Sequence, residues 1–337
     1  MVSMKDIAAK CNVSVATVSK ALNDQTDIGE ATRNLIKQTA KERGYFPNSL
    51  ARALRTNRSY NIGVLFVDEG QSGLTHDYFS KVLDSFKAVV EEQGYDLTFI
   101  NCSKRRADRM SYLEHSRYRG FDGVVIACID FQDPEVIELS NSDIPLVTID
   151  YMFNNRSSVI SNNYAGMTNL VKYIVSKGHK KIAYVCGEDT AVTRNRLAAF
   201  YKVLEDNGIE VPEEYIKHGS YRSMSKTEKL TDMLLESKDR PTCILYSDDY
   251  SAMGGLNSIR KHGLNVPGDI SIAGYDGINI ASKIEPILTT IRQDTNAIGE
   301  SAALKLISLI ERPKTTVEEQ LLVEGSLVEG KSVADIR

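Results

Sequence analysis

Residues 13–22 read Val13-Ser14-Val15-Ala16-Thr17-Val18-Ser19-Lys20-Ala21-Leu22. Ser14 is a good N-cap, and Val18 and Leu22 share a face at i, i+4, so the spacing predicts a short helix from Val15 to about Asn23. A helix of this length is not stable alone in water and must pack on its neighbours. Upstream, Ser3 with Asp6 makes a capping-box pattern ahead of Ile7, Ala8 and Cys11, and Asn12-Val13-Ser14 supplies a turn. Downstream, beyond the polar loop Asp24–Asp27, Leu35, Ile36 and Ala40 define the inner face of a third helix from about Glu30 to Arg43. Gly44 is its stop signal. If Val18 and Leu22 point inward, then Val15, Ala16, Ser19 and Lys20 point outward. Two helices joined by a tight turn, the second lined with small polar residues, form a helix-turn-helix pattern. Thr17 and Ser19 can bond phosphates or base edges, Val15 and Ala16 can touch a thymine methyl, and Lys20 can reach guanine or phosphate. Ser14, at the helix start, belongs to the same set. A trihelical packing module with a solvated face is the alternative reading.

Charge favours nucleic acid. Residues 1–60 hold ten Lys/Arg against five Asp/Glu, a net of +5, and the rest of the 337-residue chain holds 31 against 40, a net of −9. The overall −4 hides a basic head on an acidic body, the asymmetry expected when one end meets a polyanion. Five scattered cysteines, with no CxxC pair and no histidine at ligand spacing, indicate free thiols in a reducing compartment, and no metal site or cofactor. The N-terminus lacks the apolar core of a signal peptide, and no apolar run is long enough to span a bilayer, which implies a cytoplasmic protein without a membrane role.

From Asn61 the pattern changes. Apolar runs at Ile62–Val67, Leu97–Asn101, Gly123–Ala127, Pro145–Ile149 and Ser158–Ser161 alternate with helical stretches such as Tyr78–Gln93. A second series follows, with strands near Lys181–Cys186, Thr242–Tyr246 and Ile270–Gly274. The helices expected between them lie near Ala165–Lys177, Thr193–Asn207, Lys226–Glu236 and Ser251–Lys261. Continuous apolar strands separated by helices predict parallel sheets covered on both faces. The fold expected is a small all-α head plus an α/β body of two similar doubly wound lobes, which close on a ligand at the carboxyl ends of their strands.

Ser3-Met4-Lys5-Asp6-Ile7-Ala8, Val13-Ser14, Thr17-Val18-Ser19-Lys20, Thr32-Arg33 and Gly44-Tyr45-x-Pro47-Asn48-x-x-Ala51-Arg52-x-Leu54 follow, in order and spacing, the head of the lactose-repressor (LacI/GalR) family. The resemblance implies a homodimeric transcription regulator, in all expectation a repressor of carbohydrate-utilisation genes, that binds a palindromic double-stranded operator. It also implies that residues 1–46 are the reader and 47–60 a hinge helix and linker. The hinge helix would lie in the central minor groove through Asn48, Ala51, Arg52, Leu54 and Arg55, with Leu54 as the wedge between base steps. Two departures stand out. Gly29 takes a helix-cap position usually held by Ser, Thr or Asp, and the specificity positions Val15 and Ala16 are both apolar. Base reading should therefore lean on methyl contacts, Lys20, Arg52 or Arg55, and the central kink.

Gly120-Phe121-Asp122-Gly123-Val124-Val125, Ile144-Pro145-Leu146-Val147, Gly178-His179-Lys180-Lys181-Ile182-Ala183, Arg196-Leu197-Ala198-Ala199-Phe200, Val266-Pro267, Asp269-Ile270-Ser271 and Gly274-Tyr275-Asp276 look like that family's effector domain, the fold of periplasmic sugar-binding proteins. This places an effector-binding and dimerisation domain at 61–337, with lobe one at about 61–161 plus 292–320 and lobe two at about 162–291 plus 321–332. By position, the ligand residues implied are Phe79 in the 76–79 loop, Asp150 with Tyr151, Asn162 with Asn163, Arg196, Asp248, Asp249 and Asp276. Carboxylates and a forked guanidinium suit adjacent hydroxyls, and an aromatic ring suits the apolar face of a sugar. Asp248-Asp249 also stand where a helix N-cap is expected, Asp276 where a turn could be capped, and Arg196 where a surface pair could form. His179-Lys180-Lys181 marks a strand entry. No phosphate loop follows Met253-Gly254-Gly255, and no catalytic constellation is present, so an enzyme is not expected. A sugar-binding protein without a DNA role is the alternative that the body alone would suggest. With no heptad tail after Leu321–Glu324, a dimer is expected.

Overall fold

In the computed structural model, residues 2–45, 58–67, 73–101 and 110–337 are described. The chain divides into two units, Met1–Ser59 and Tyr60–Arg337. The hinge expectations on Asn48, Ala51, Arg52, Leu54 and Arg55 lie outside the described residues, as does Cys102.

The first unit is built from three helices, α1 (Met4–Cys11), α2 (Val15–Leu22) and α3 (Glu30–Glu42). The Asp6 carboxylate accepts from the Ser3 backbone N–H at 2.8 Å, closing the capping box. Ser14 Oγ accepts from the Thr17 N–H at 3.0 Å. At α3 the cap is Gly29, which contributes no side-chain bond. Ile7, Ala8, Val18, Ala21, Ile36 and Ala40 form the core. Leu35, expected on the inner face of α3, is instead 52% exposed. One residue further round, Ile36 and Ala40 at i, i+4 take the buried stripe with Thr39, and Leu35 is carried past its edge.

The second unit contains two lobes. Lobe one has a six-stranded parallel sheet of β1 (Asn61–Phe66), β2 (Asp96–Phe99), β3 (Gly123–Cys128), β4 (Leu146–Ile149), β5 (Ser157–Ser161) and β11 (Gln320–Val323). Its order is β11-β5-β4-β3-β1-β2. One face carries α4 (Asp77–Glu92) and α11 (Thr295–Glu311), and the other α5 (Tyr112–Arg119) and α6 (Pro134–Ser140). Lobe two has β6 (Ile182–Cys186), β7 (Ile216–His218), β8 (Cys243–Tyr246) and β9 (Ser271–Ala273) in the parallel order β7-β6-β8-β9. Helices α7 (Asn163–Ser176) and α8 (Ala191–Asp206) cover one face, and α9 (Met224–Leu235) and α10 (Asp249–Lys261) the other. A two-stranded antiparallel pair, β10 (Thr290–Arg292) with β12 (Ser326–Val328), lies where the chain passes between lobes.

Both sheets share the order second-first-third-fourth, so each has its switch point beside its first strand: β1/β3 in lobe one, β6/β8 in lobe two. Ligands in doubly wound sheets bind outside the carboxyl ends at such points. Because Gln320–Val323 pairs with Ser158–Ser161, β11 belongs to the sheet of lobe one. The last crossing therefore lies between Val323 and Ser326, a few residues beyond the expected 320/321 division. His179 is buried, with Nδ1 2.9 Å from Thr242 Oγ1 and Nε2 3.2 Å from the Ala334 carbonyl, the structural strand-entry role expected of it. Among the described residues no helix is long and apolar enough to cross a membrane, and no His/Cys/Asp/Glu cluster could hold a metal.

Candidate functional site

The head presents α2 as anticipated by its periodicity. Val18 and Ala21 are buried, while Ser14, Val15, Ala16 and Lys20 are exposed and Thr17 and Ser19 half-exposed. Ser14 Oγ and Thr17 Oγ1 lie 2.8 Å apart. The exposed surface is thus short-chained and mostly uncharged, with Lys20 at its C-terminal end.

In the body, Arg196 is the hub. It leaves the second turn of α8, which starts at the cap residue Thr190 after β6, and is 3% exposed. Its Nε donates to Asn163 Oδ1 at 2.8 Å and its Nη1 to the Ser247 carbonyl at 2.7 Å. The guanidinium carbon stands 3.5 Å from the Tyr275 ring centroid, and Nη2 is 3.8 Å from Asp276 Oδ1. Bonds from α7 and from the end of β8 therefore fix the fork, and stacking on Tyr275 fixes its plane.

Asp276 follows β9 on left-handed backbone, φ 98°, which a non-glycine residue rarely adopts. Gln293 Nε2 donates to its Oδ1 at 2.7 Å. Burial pushes its pKa up from 3.8 to about 6, aided by the Asp248 and Asp150 charges and opposed by Arg196 and Gln293. Asp150, at the end of β4, also has positive φ, 58°. Its Oδ2 accepts from Tyr78 Oη at 2.6 Å and its Oδ1 from the Ser161 N–H at 3.1 Å. Burial raises its pKa too, and those two bonds resist the rise. Asp77, Tyr78 and Lys81 of α4 face Asp276, Arg292 and Gln293 across a cavity of about 200 Å³ between the lobes. Tyr250 Oη of α10 donates to Asp77 Oδ2 at 2.5 Å, tying one lobe to the other. The Arg222 guanidinium lies 5.0 Å from the Tyr250 ring centroid.

The remaining expected residues divide by what their polar atoms already do. Asp248 is the N-cap of α10, accepting from the Ser251 N–H (2.8 Å), Ser247 Oγ (2.9 Å), Ser251 Oγ (2.8 Å) and the Arg222 N–H (2.9 Å). Asp249 is equally buried, and its oxygens accept from Thr290 Oγ1 at 2.6 Å and the Ile278 N–H at 2.8 Å. Asn162 caps α7 through the Ala165 N–H and donates to Glu324 at 2.6 Å. Tyr151 stacks on Phe131, centroids 4.2 Å apart and planes 3° from parallel, with Phe153 edge-on. Phe79 packs on the core of lobe one beside Phe66 and Tyr78. Arg196, Asp276 and Asp150 thus form one cluster, while Asp248, Asp249 and Asn162 hold elements together.

Sequence reasoning missed Tyr221. Its Oη shares a hydrogen bond with Thr193 Oγ1 at 2.7 Å, and a Cβ at Gly187 would lie 2.3 Å from its ring. Glycine at the end of β6 thus admits an aromatic lid over the first turn of α8, on the side that Arg196 faces. The only local signal was Gly187 itself, a glycine closing an apolar strand.

Residues 3–48 match the family model described as bacterial regulatory proteins, lacI family, and residues 171–333 match a periplasmic binding protein-like domain. The HTH-type transcriptional repressor PurR of Salmonella paratyphi B is 31% identical over 340 residues, covering 99% of this chain and 98% of that protein. A lac repressor dimer bound to operator and the anti-inducer ONPF superposes with a TM-score of 0.84 at 27% identity, over 99% of both chains. A complex of the transcriptional regulator CelR with cellobiose shares the fold, with a TM-score of 0.71 at 23% identity over 98% of this chain and 100% of that one. The PurR and lac proteins are transcriptional repressors. With a helix-turn-helix head on a two-lobed α/β body and similarity along its whole length, the chain belongs to the lacI family of bacterial regulatory proteins.

Proposed function

We propose that the protein is a cytoplasmic, non-enzymatic repressor whose operator affinity is set by a hydroxylated small molecule, in first instance a sugar, held between the lobes. One observation carries this reading. Among the described residues, Asp276 Oδ2 and Arg196 Nη2 accept and donate no hydrogen bond, although every other side-chain polar atom of the pair has a partner. An open donor beside an open acceptor, both half or fully buried, is what two adjacent hydroxyls or one hydroxyl acting both ways would satisfy. Asp150 and Tyr221 border that position, and Tyr151 with Phe131 offers an aromatic face at the end of the neighbouring strands.

Two heads of a homodimer would read half-sites through Ser14, Val15, Ala16, Thr17, Ser19 and Lys20, and residues 47–60 would fill the central minor groove through Asn48, Ala51, Arg52, Leu54 and Arg55. A seven-residue hinge helix is too short to persist without its partner or DNA, so a change in the spacing of the two bodies melts or forms it. Ligand closure of the lobes supplies that change, and the shift in operator affinity equals the ligand's preference for one of the two states. Support for the DNA arm comes from the match of residues 3–48, which also disfavours a sugar carrier without a DNA role. A thermal-shift screen of sugars, sugar phosphates and nucleosides, followed by anisotropy on a duplex selected by the protein from a random library, tests it. A ligand that both stabilises the body and alters DNA affinity supports the reading; stabilising ligands that leave DNA affinity unmoved oppose it.

A further inference from the structure

The three-helix part of the head is weakly charged for a DNA reader. Residues 1–45 hold seven Lys/Arg against five Asp/Glu, a net of +2, and Arg52, Arg55 and Arg58 supply the rest of the head's +5. The loop between α2 and α3 reduces the available charge further. Asp27 engages the ammonium of Lys20, with the two side chains 52% and 46% exposed. Asp24 pairs with Lys37 at 2.5 Å. The loop is not free to swing away, because Arg33 Nη2 donates to the carbonyls of Gln25 and Ile28, each at 2.9 Å. Asp27 is therefore held from both sides against the last turn of α2, where its carboxyl stands below its ordinary pKa through the bond to Lys20.

We infer that Asp27 is a specificity-determining residue of DNA recognition, whose carboxylate on a loop pinned by Arg33 holds the Lys20 ammonium away from phosphates. The inference rests on the DNA-binding reading above. An ammonium has three donors; with one given to Asp27, the other two keep a fixed direction along the outward face of α2 and can serve a base edge. A phosphate contact, by contrast, would have to pull Lys20 off that carboxylate. Non-specific duplex, which offers phosphates alone, should lose most from this arrangement. The head then contributes discrimination at some cost in affinity, and the cations at 52, 55 and 58 carry the general attraction.

The test uses the full chain and two probes, a short random-sequence duplex and a duplex that the wild-type protein has selected from a randomised library, each titrated by fluorescence anisotropy across a salt series. Asp27→Asn should tighten binding to the random duplex by about threefold or more and steepen its logarithmic salt slope by about 0.9 per head. Affinity for the selected duplex should change less, so the ratio between the two falls. In a Lys20→Met background the same substitution should have no effect, and Asp24→Asn should leave the ratio unchanged. Far-UV circular dichroism of each variant checks that the helices persist. Equal tightening on both duplexes, or an Asp27→Asn effect that survives in the Lys20→Met background, would overturn the inference by making Asp27 a mere contributor to net charge. Failure of the wild-type protein to bind either duplex would contradict the DNA-binding reading itself.

Discussion

Asp276 sits on positive-φ backbone with Arg196 at one oxygen and nothing described at the other, and its pKa is raised from 3.8 to about 6. A raised carboxyl stabilises the fold when protonated; its contribution is complete below about pH 4 and is lost as pH rises through about 6. Asp276→Asn mimics the protonated form, so at pH 7.5 its melting temperature should equal or exceed that of the wild type, with the difference closing as pH falls toward 4. The same variant should lose the ligand response, because its one amide oxygen is taken by the Gln293 Nε2 donor and the NH2 at the open position can donate but not accept. A variant that melts earlier at neutral pH would show that the Asp276–Arg196 attraction outweighs the burial cost. Arg196 and Asp276 were legible in the sequence because each lies inside a matched motif. The N-cap role of Asp248 was legible too, from its place ahead of a helix; that Asp276 is left half open was not, since only the neighbours brought by the fold decide it. Tyr221 and Gln293 were invisible for the same reason: their partners lie 28 and 17 residues away.

Among the elements, α2 and the parallel strands could be read directly, because a buried helix stripe and a run such as Val124–Ala127 leave period and composition signals. Strand β7 could not: it is a three-residue sheet edge, Ile216–His218, with no buried residue. Helix α11 was missed for the opposite reason. Packed between α4 and the sheet of lobe one, it is apolar on most sides, so its helical stripe is blurred. Helices α4 and α10 meet at their N-termini through the Tyr250–Asp77 bond, which joins one lobe to the other beside the cavity that Asp77 lines. Tyr250→Phe should weaken effector binding by about fivefold to tenfold, read by calorimetry, while DNA affinity without effector stays unchanged. Unaltered effector affinity would show that the bond does not contribute to closure. In the proposed hinge, Leu54→Ala should weaken operator binding by about tenfold or more and leave effector affinity intact. Equal loss of both would remove Leu54 from the wedge role.

Taken whole, the molecule separates charge by task. Residues 61–337 carry −9, residues 1–45 carry +2 and residues 46–60 carry +3. On the proposed function, general affinity would reside largely in the segment 47–60, and a modest change between lobes would become a large change in operator occupancy. The most direct test is operator affinity, measured by anisotropy on the selected duplex, with and without a ligand that stabilises the body, for wild-type and Asp276→Asn protein. The account predicts an operator affinity that shifts about tenfold or more in the wild type and stays fixed in the variant, with equal DNA binding by both in the absence of ligand. A shift of the same size in Asp276→Asn, or none in the wild type with a bound ligand, would contradict it.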